Sequence, residues 1–187
     1  MKTFDIEAYN KKKKDPGYDG YYLKDSTYIR QFDAGGDGIY MNYIEVITHP
    51  TNFFQEYRVF HYNGKIKIDG LKFFNDYEKG VWKEYDEQGN LVKETDYDAP
   101  YKFTWENVLE LIKKREIDMN HEQFQVNRSF GFGTENIGKE TEKPFWAVTY
   151  GVNGREKLNV IIIDGVNGSI IKEYLEDYPA GGDYDDE

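Results

Sequence analysis

The sequence predicts a β-rich α+β fold: an antiparallel meander of hairpins, followed by one helix and a small antiparallel sheet. Three observations carry that expectation. Aromatic residues make up 17% of the 187-residue chain, with 17 Tyr and 12 Phe, and Tyr, Phe, Val and Ile suit a pleated, half-buried surface. Two hairpin-like segments, Tyr57–Lys67 and Gly80–Glu94, share one grammar, and their turn glycines, Gly64 and Gly89, lie 25 residues apart. Residues 104–115 alone switch from a period of two to a period of 3.6. The expected organisation is a hairpin meander over 1–100, a helix with a small sheet over 101–178, and a flexible acidic tail over 179–187.

Along the chain, Phe4, Ile6 and Tyr9 fit either a strand or a turn of helix. Lys11–Lys14 runs into the breaker Asp15-Pro16-Gly17 and reads as a solvated loop face. Tyr21-Tyr22-Leu23 and Thr27-Tyr28-Ile29 form hairpin arms around Lys24-Asp25-Ser26. Gly35-Gly36-Asp37-Gly38 is a turn; no Gly-Lys-Ser/Thr follows it to make a phosphate loop. Strands are expected at Ile39–Ile47, Tyr57–Tyr62, Lys65–Phe74, Val81–Tyr85 and Asn90–Asp96, spaced as in a meander. In the hairpin at 80–94, Val81, Lys83 and Tyr85 face one way and Trp82 and Glu84 the other. Its Asp-Glu-Gln-Gly turn needs positive φ at Gly89, and the Asn63-Gly64 turn before it is expected to be tighter.

Thr104 is the expected N-cap of the helix, with Glu106 in its first turn and Lys113, Lys114 and Arg115 in its last. Trp105, Val108, Leu109 and Ile112 form one apolar stripe that suits covering a sheet. Gln123–Phe130 is a strand candidate ahead of a loop over 131–143. Phe145–Tyr150 and Leu158–Asp164 are strong strands, and the run Val160–Ile163 implies burial on both faces. Asp164-Gly165-Val166-Asn167-Gly168 is a tight turn held by side-chain oxygens, before a return strand over Ser169–Tyr174.

The pattern Gly80-x-Trp82-x-x-Tyr85, a polar turn with Gly89, then Leu91 and Lys93, resembles the divergent MORN-type repeat of bacteria. Its continuation, Asp96-Tyr97-Asp98-Ala99-Pro100-Tyr101-Lys102-Phe103-Thr104-Trp105 with a short helix, is similar to bacterial toxin-immunity proteins that carry this repeat. Such proteins are usually encoded beside polymorphic or type VI secreted toxins. The C-terminal pattern of a Trp strand, an Ile-rich strand ending in Asp, a Gly turn and a return strand resembles the small PepSY module, which is linked to inhibition and binding. The resemblance implies an immunity or antitoxin role. The repeat spacing by itself implies a β-hairpin array.

Charge and chemistry narrow the classes further. Twenty-four Lys and Arg stand against 35 Asp and Glu, a net −11. Seven of those acids and no base fall within 173–187, which leaves 28 acids against 24 bases, or −4, for the rest. An acidic chain lacks the Lys and Arg that displace counterions from phosphates, so no nucleic-acid partner is expected. The excess serves either solubility or complementarity to a basic protein. The charged start, Met1-Lys2-Thr3-Phe4-Asp5, is unlike a secretory signal, and no stretch approaches a membrane span. The expectation is a cytoplasmic protein with no membrane partner.

There is no cysteine, which removes thiolate chemistry and Cys-ligated zinc. His49, His61 and His121 are scattered, and His121-Glu122 lacks the second histidine of a zinc-protease helix. His61, between Phe60 and Tyr62, reads as an exposed strand residue. No cofactor, metal or catalytic residue is expected, and the chain is not expected to be an enzyme. The candidate partner-binding residues are Glu176, Asp177, Tyr178, Asp183, Tyr184, Asp185, Asp186 and Glu187. They read either as a solubilising end or as an acidic arm over the basic cleft of a toxin, with tyrosines as aromatic anchors. The expected function is that of an immunity protein that neutralises a cognate, basic toxin by stoichiometric occlusion. The alternative is a binding or self-assembly scaffold with no toxin partner.

Overall fold

The computed structural model describes residues 2–36, 38–74, 77–129, 143–151 and 157–177. It forms two compact units, Met1–Ala99 and Pro100–Glu187. The first holds a helix α1 (Ile6–Lys12) and seven strands: β1 (Tyr21–Tyr22), β2 (Tyr28–Gly35), β3 (Met41–Thr48), β4 (Phe54–His61), β5 (Ile66–Phe73), β6 (Tyr77–Tyr85) and β7 (Leu91–Asp96). They pair antiparallel in sequence order as one meander. The second holds α2 (Trp105–Lys114) and β8 (Gln125–Ser129), β9 (Phe145–Tyr150), β10 (Lys157–Asp164) and β11 (Ile170–Asp177), in the order β11-β10-β9-β8. The expected β-rich α+β class is therefore the observed one.

Residues 6–12 are helical, and Lys11 and Lys12 form the last turn rather than a loop. The Asp5 carboxylate accepts from the Ala8 N–H at 2.9 Å and caps the helix, while the lysines complement its C-terminal dipole. Lys12 Nζ then sits 3.8 Å from the Tyr21 ring centroid, and Lys13 pairs with Asp33 at 2.6 Å. This N-terminal segment covers one face of the meander, called the first face. Phe4 stacks on Tyr43 at 4.8 Å and tilts against Phe60 at 5.3 Å; Tyr9 meets Tyr43 edge-on at 5.9 Å. With Ile66 these rings make a buried cluster.

The turns at 61–65 and 86–90 are the same structure. His61 N–H donates to Lys65 O and Gly64 N–H to His61 O; Asp86 N–H donates to Asn90 O and Gly89 N–H to Asp86 O. Gly64 and Gly89 have φ of 78° and 92°, the left-handed residue that closes a three-residue hairpin loop. The Asn-Gly turn is thus not tighter than its successor. The two tips are also tied together, by Asn63 Nδ2–H to Glu87 O at 3.1 Å and Lys65 Nζ–H to Gln88 O at 3.2 Å. That tie is the physical content of the 25-residue repeat.

Strand limits differ from expectation: β2 runs on to Gly35 and β11 to Asp177, and β3, β4 and β6 begin elsewhere. β6 starts at Tyr77 because Gly80 (φ 68°) forms a bulge inside the strand instead of ending it. β4 starts at Phe54, whose N–H is held by the Asn52 side chain at 3.0 Å. Ile39 and Tyr40 lie in a 3₁₀ turn, Gly38–Tyr40, ahead of β3.

In the second unit, α2 has its Thr104 N–H held by Asn107 Oδ1 at 2.9 Å, and it buries Trp105, Val108 and Ile112. Trp105 meets Trp146 of β9 at 6.5 Å between centroids, on the sheet face that also carries Val126, Val148, Ile161 and Ile163. Trp146 is 1% exposed and donates its indole N–H to Phe103 O at 2.8 Å. The opposite face buries Phe145, Val160 and Ile162, so β10 is apolar on both sides, as its Ile run implies. The Asp164 carboxylate accepts from the N–H groups of Val166 and Asn167 at 2.8 and 3.0 Å. These bonds hold its pKa below the ordinary value.

A depressed folded pKa contributes stability above the unfolded value and loses it as pH falls through the folded one. Asp164→Ala is therefore expected to lower Tm by a few degrees at neutral pH, and by less at pH 3. Thermal unfolding at the two pH values reads this difference directly.

Candidate functional site

The N-terminal segment lies on the first face of the meander, which leaves the second as the broad surface of that unit. Register places two adjacent rows there. One runs Phe32, Ile44, Val59 and Ile68 across β2 to β5, ending at Glu84 and Lys93; the next runs Arg30, Val46, Tyr57, Gly70, Trp82 and Thr95 across β2 to β7. Phe32, Ile44, Val46, Tyr57 and Ile68 are half-buried, while Val59 and Trp82 are buried. The expected outward-inward alternation in β6 holds, with Trp82 and Glu84 on this face.

Tyr57 and Trp82 occupy equivalent places in successive hairpins, and their rings stack at 5.9 Å and 26°. Gly70 makes this possible: a Cβ there would lie 2.3 Å from two carbons of the Trp82 ring. Trp82 is pinned by its N–H to Leu71 O at 3.1 Å and by Tyr97 edge-on at 5.9 Å. Cations rim the surface. Lys72 Nζ lies 5.1 Å from the Tyr57 centroid, and the Arg30 guanidinium lies 5.3 Å from that of Phe32 while bonding Asp19 at 3.0 Å. Burial raises the Tyr57 hydroxyl pKa, so the tyrosine stays neutral. The surface is a rigid aromatic and aliphatic strip with a charged margin, which is the composition of a protein-binding patch.

No family model, curated protein or solved structure matches the chain.

The first face carries a row of a different kind. Gln31, Glu45, Arg58, Asp69, Lys83 and Glu94 are successive cross-strand neighbours from β2 to β7. Gln31 donates to Glu45 at 2.9 Å, Arg58 bonds Glu45 at 2.9 Å and also Glu56, and Lys2 bonds Asp69 at 2.8 Å. Burial pushes the Glu56 pKa up, but the bond to His49 and the Arg58 charge outweigh it, and the net shift is downward. Arg58, 16% exposed, is the hub that three carboxylates share.

The histidines occupy separate places. His49 lies between Thr27 Oγ1 at 3.2 Å and Glu56 at 3.1 Å. His61 is half-buried and not an exposed strand residue, because its Nε2–H donates to Tyr85 O at 2.9 Å and ties adjacent hairpins. The His121 ring accepts from Gln123 N–H at 3.1 Å beside Gly151. Among the described residues no group of three or more His, Cys, Asp or Glu could hold a metal, and no helix is long and apolar enough to cross a membrane.

Of the acids singled out from sequence, Glu176 and Asp177 are exposed at the end of β11, opposite Leu158 and Lys157, and Asp177 pairs with Lys157 at 2.9 Å. Tyr178, Asp183, Tyr184, Asp185, Asp186 and Glu187 lie outside the described residues. Sequence reasoning missed the second face of the meander. Its available signal was the 25-residue relation between Tyr57 and Trp82, with a small residue, Gly70, between them.

Two substitutions test these arrangements. Gly70→Ala is expected to cost about 1–3 kcal/mol by forcing the Trp82 ring aside, read by urea denaturation and a shift in tryptophan fluorescence. Arg58→Ala removes the cation that Glu45, Glu56 and Asp69 share and is expected to cost about 3 kcal/mol at neutral pH. Its penalty shrinks in acid as Glu56, whose pKa is held below the ordinary value partly by Arg58, takes up its proton.

Proposed function

We propose that the chain is a binding protein that neutralises a basic protein toxin by stoichiometric occlusion, with the second face of the meander as its main contact surface. The observation that carries this reading is that strip of Phe32, Ile44, Val46, Tyr57, Val59, Ile68 and Trp82 on a hydrogen-bonded sheet. A sheet presents its side chains already ordered, so little entropy is lost on association. Six strands, β2 to β7, about 4.8 Å apart span about 24 Å, and an eight-residue strand about 26 Å. Their product is about three quarters of the roughly 800 Å² that each partner contributes to a standard interface. The net −11 supports a basic partner and rapid, salt-sensitive encounter. The resemblance of the 80–94 hairpin to repeats in immunity proteins supports a toxin as that partner.

Capture from native lysate on the tagged chain is expected to return one basic protein in stoichiometric amount, toxic when expressed alone and harmless when co-expressed. Recovery of the chain alone, from lysate that contains its neighbouring gene products, would leave the scaffold reading instead. With the partner in hand, Ile44→Asp combined with Ile68→Asp is expected to weaken binding about 100-fold with an unchanged far-ultraviolet dichroism spectrum. An unchanged affinity would move the contact off this face. Removing Asp183–Glu187 is expected to slow association and flatten its salt dependence, measured by stopped flow at several ionic strengths.

A further inference from the structure

The four-stranded sheet ends on β11, which among the described residues pairs only with β10. Asp164 N–H donates to Ser169 O at 2.8 Å, so in β10 the amides of Asp164, Ile162, Val160 and Leu158 face β11. Their register partners Lys172, Tyr174 and Glu176 turn their own backbone groups inward. The N–H and C=O of Glu173, Leu175 and Asp177 therefore point outward from the sheet, while Ile171 is the extra residue of a bulge opposite Ile162 and Ile163. This edge is not polar throughout: Ile170, Ile171 and Leu175 are 41%, 39% and 56% exposed, where an unprotected edge ordinarily carries charge.

We infer that this edge pairs with the same edge of a second copy, joining two four-stranded sheets across a two-fold axis. In an antiparallel ribbon only residues of like orientation face each other, which leaves two long registers for β11 against itself. One centres on Glu173, whose carboxylate is already held by Arg115 at 2.6 Å; it sets the two copies of this acid in contact and offers no new pairing between Lys172 and Glu176. The other centres on Tyr174. It places Tyr174 against Tyr174 of the second copy, Lys172 against Glu176 twice, and Glu173 and Leu175 as hydrogen-bonded opposites. Tyr174 and Lys172 already share the sheet face of Phe145, Val160 and Ile162, and Lys172 lies 4.8 Å from the Tyr174 ring centroid. The pairing thus extends an existing apolar cluster and closes it with two symmetric ion pairs.

The same register sets Asp177 opposite Ile171, so the two Asp177 residues are six positions apart along the ribbon, about 20 Å. That exceeds the Debye length of about 8 Å at physiological salt, and the acidic ends do not oppose the pairing. The strand β7, at one edge of the seven-stranded sheet, lacks this complementarity, because its two longest self-registers centre on Lys93 or on Glu94 and set like charges together.

The test uses the full chain alone, so it stands apart from any toxin. Sedimentation equilibrium over a wide concentration range is expected to give a species of twice 22.1 kDa. Lys172→Glu or Glu176→Lys alone is expected to weaken the dimer about tenfold, and the two together to restore it. Leu175→Pro removes an outward N–H without touching the β10 ladder and is expected to give a monomer. A monomer at every concentration overturns the inference. So does a dimer indifferent to the charge reversals and to the proline, since its contact would lie elsewhere.

Discussion

The first unit has a seven-stranded sheet and, for cover, one helix of seven residues and the few residues that precede it. That disproportion governs the rest of its structure. A short helix can bury one end of one face, and Phe4 and Tyr9 do so against Tyr43 and Phe60. Beyond that end, neighbouring strands hold one another through cross-strand side-chain pairs. The second face therefore carries apolar residues that are only half-buried, and it holds its largest side chain, Trp82, flat against Gly70. Its wet apolar surface follows from the architecture, and its rigidity suits it to the proposed role of binding a partner.

The charged row on the first face is the complementary solution. Where the N-terminal segment gives out, the strands switch from Tyr43, Phe60 and Ile66 to Glu45, Arg58 and Asp69, and alternate their signs. Each charge has an opposite neighbour on the next strand, so the Arg58 guanidinium, at 16% exposure, is neutralised by Glu45 and Glu56 through its terminal nitrogens, while its Nε lies 3.6 Å from Asp69. Such a row fixes strand order as well as stability, since a slip of one register step would put Arg58 beside residues of the other face.

Much of this was legible in the sequence. The two hairpins, the positive φ at Gly89, the α2 stripe and the turn at Asp164 each rest on one local rule, and local rules can be read from neighbouring residues. Three kinds of feature could not be read that way. The start of β6 at Tyr77 is hidden by Gly80, because a glycine inside a bulge and one at a strand end look alike in sequence. Lys11 and Lys12 were assigned to a loop because a seven-residue helix is too short to display a full apolar period. Which face of the meander Phe4 and Tyr9 would cover depends on register across six strands and their bulges, so the surface left open was invisible until the pairing was known. The exposed position of Glu176 and Asp177 was legible, but their membership of an edge strand was not, because acidic residues at a chain end carry no β signal.

The N-terminal segment is joined to residues distant in sequence: Thr3 bridges Lys65, Phe4 N–H donates to Gly64 O at 2.8 Å, and Lys2 reaches Asp69. Every strand of the meander, by contrast, pairs with its immediate successor. Contacts of short sequence separation form early and those of long separation late. During synthesis the hairpins can close one by one as they emerge, while Thr3 and Phe4 find their backbone partners only once Gly64 and Lys65 have been made. This segment is thus the closing step of its own unit, and until then Tyr43 and Phe60 remain in water.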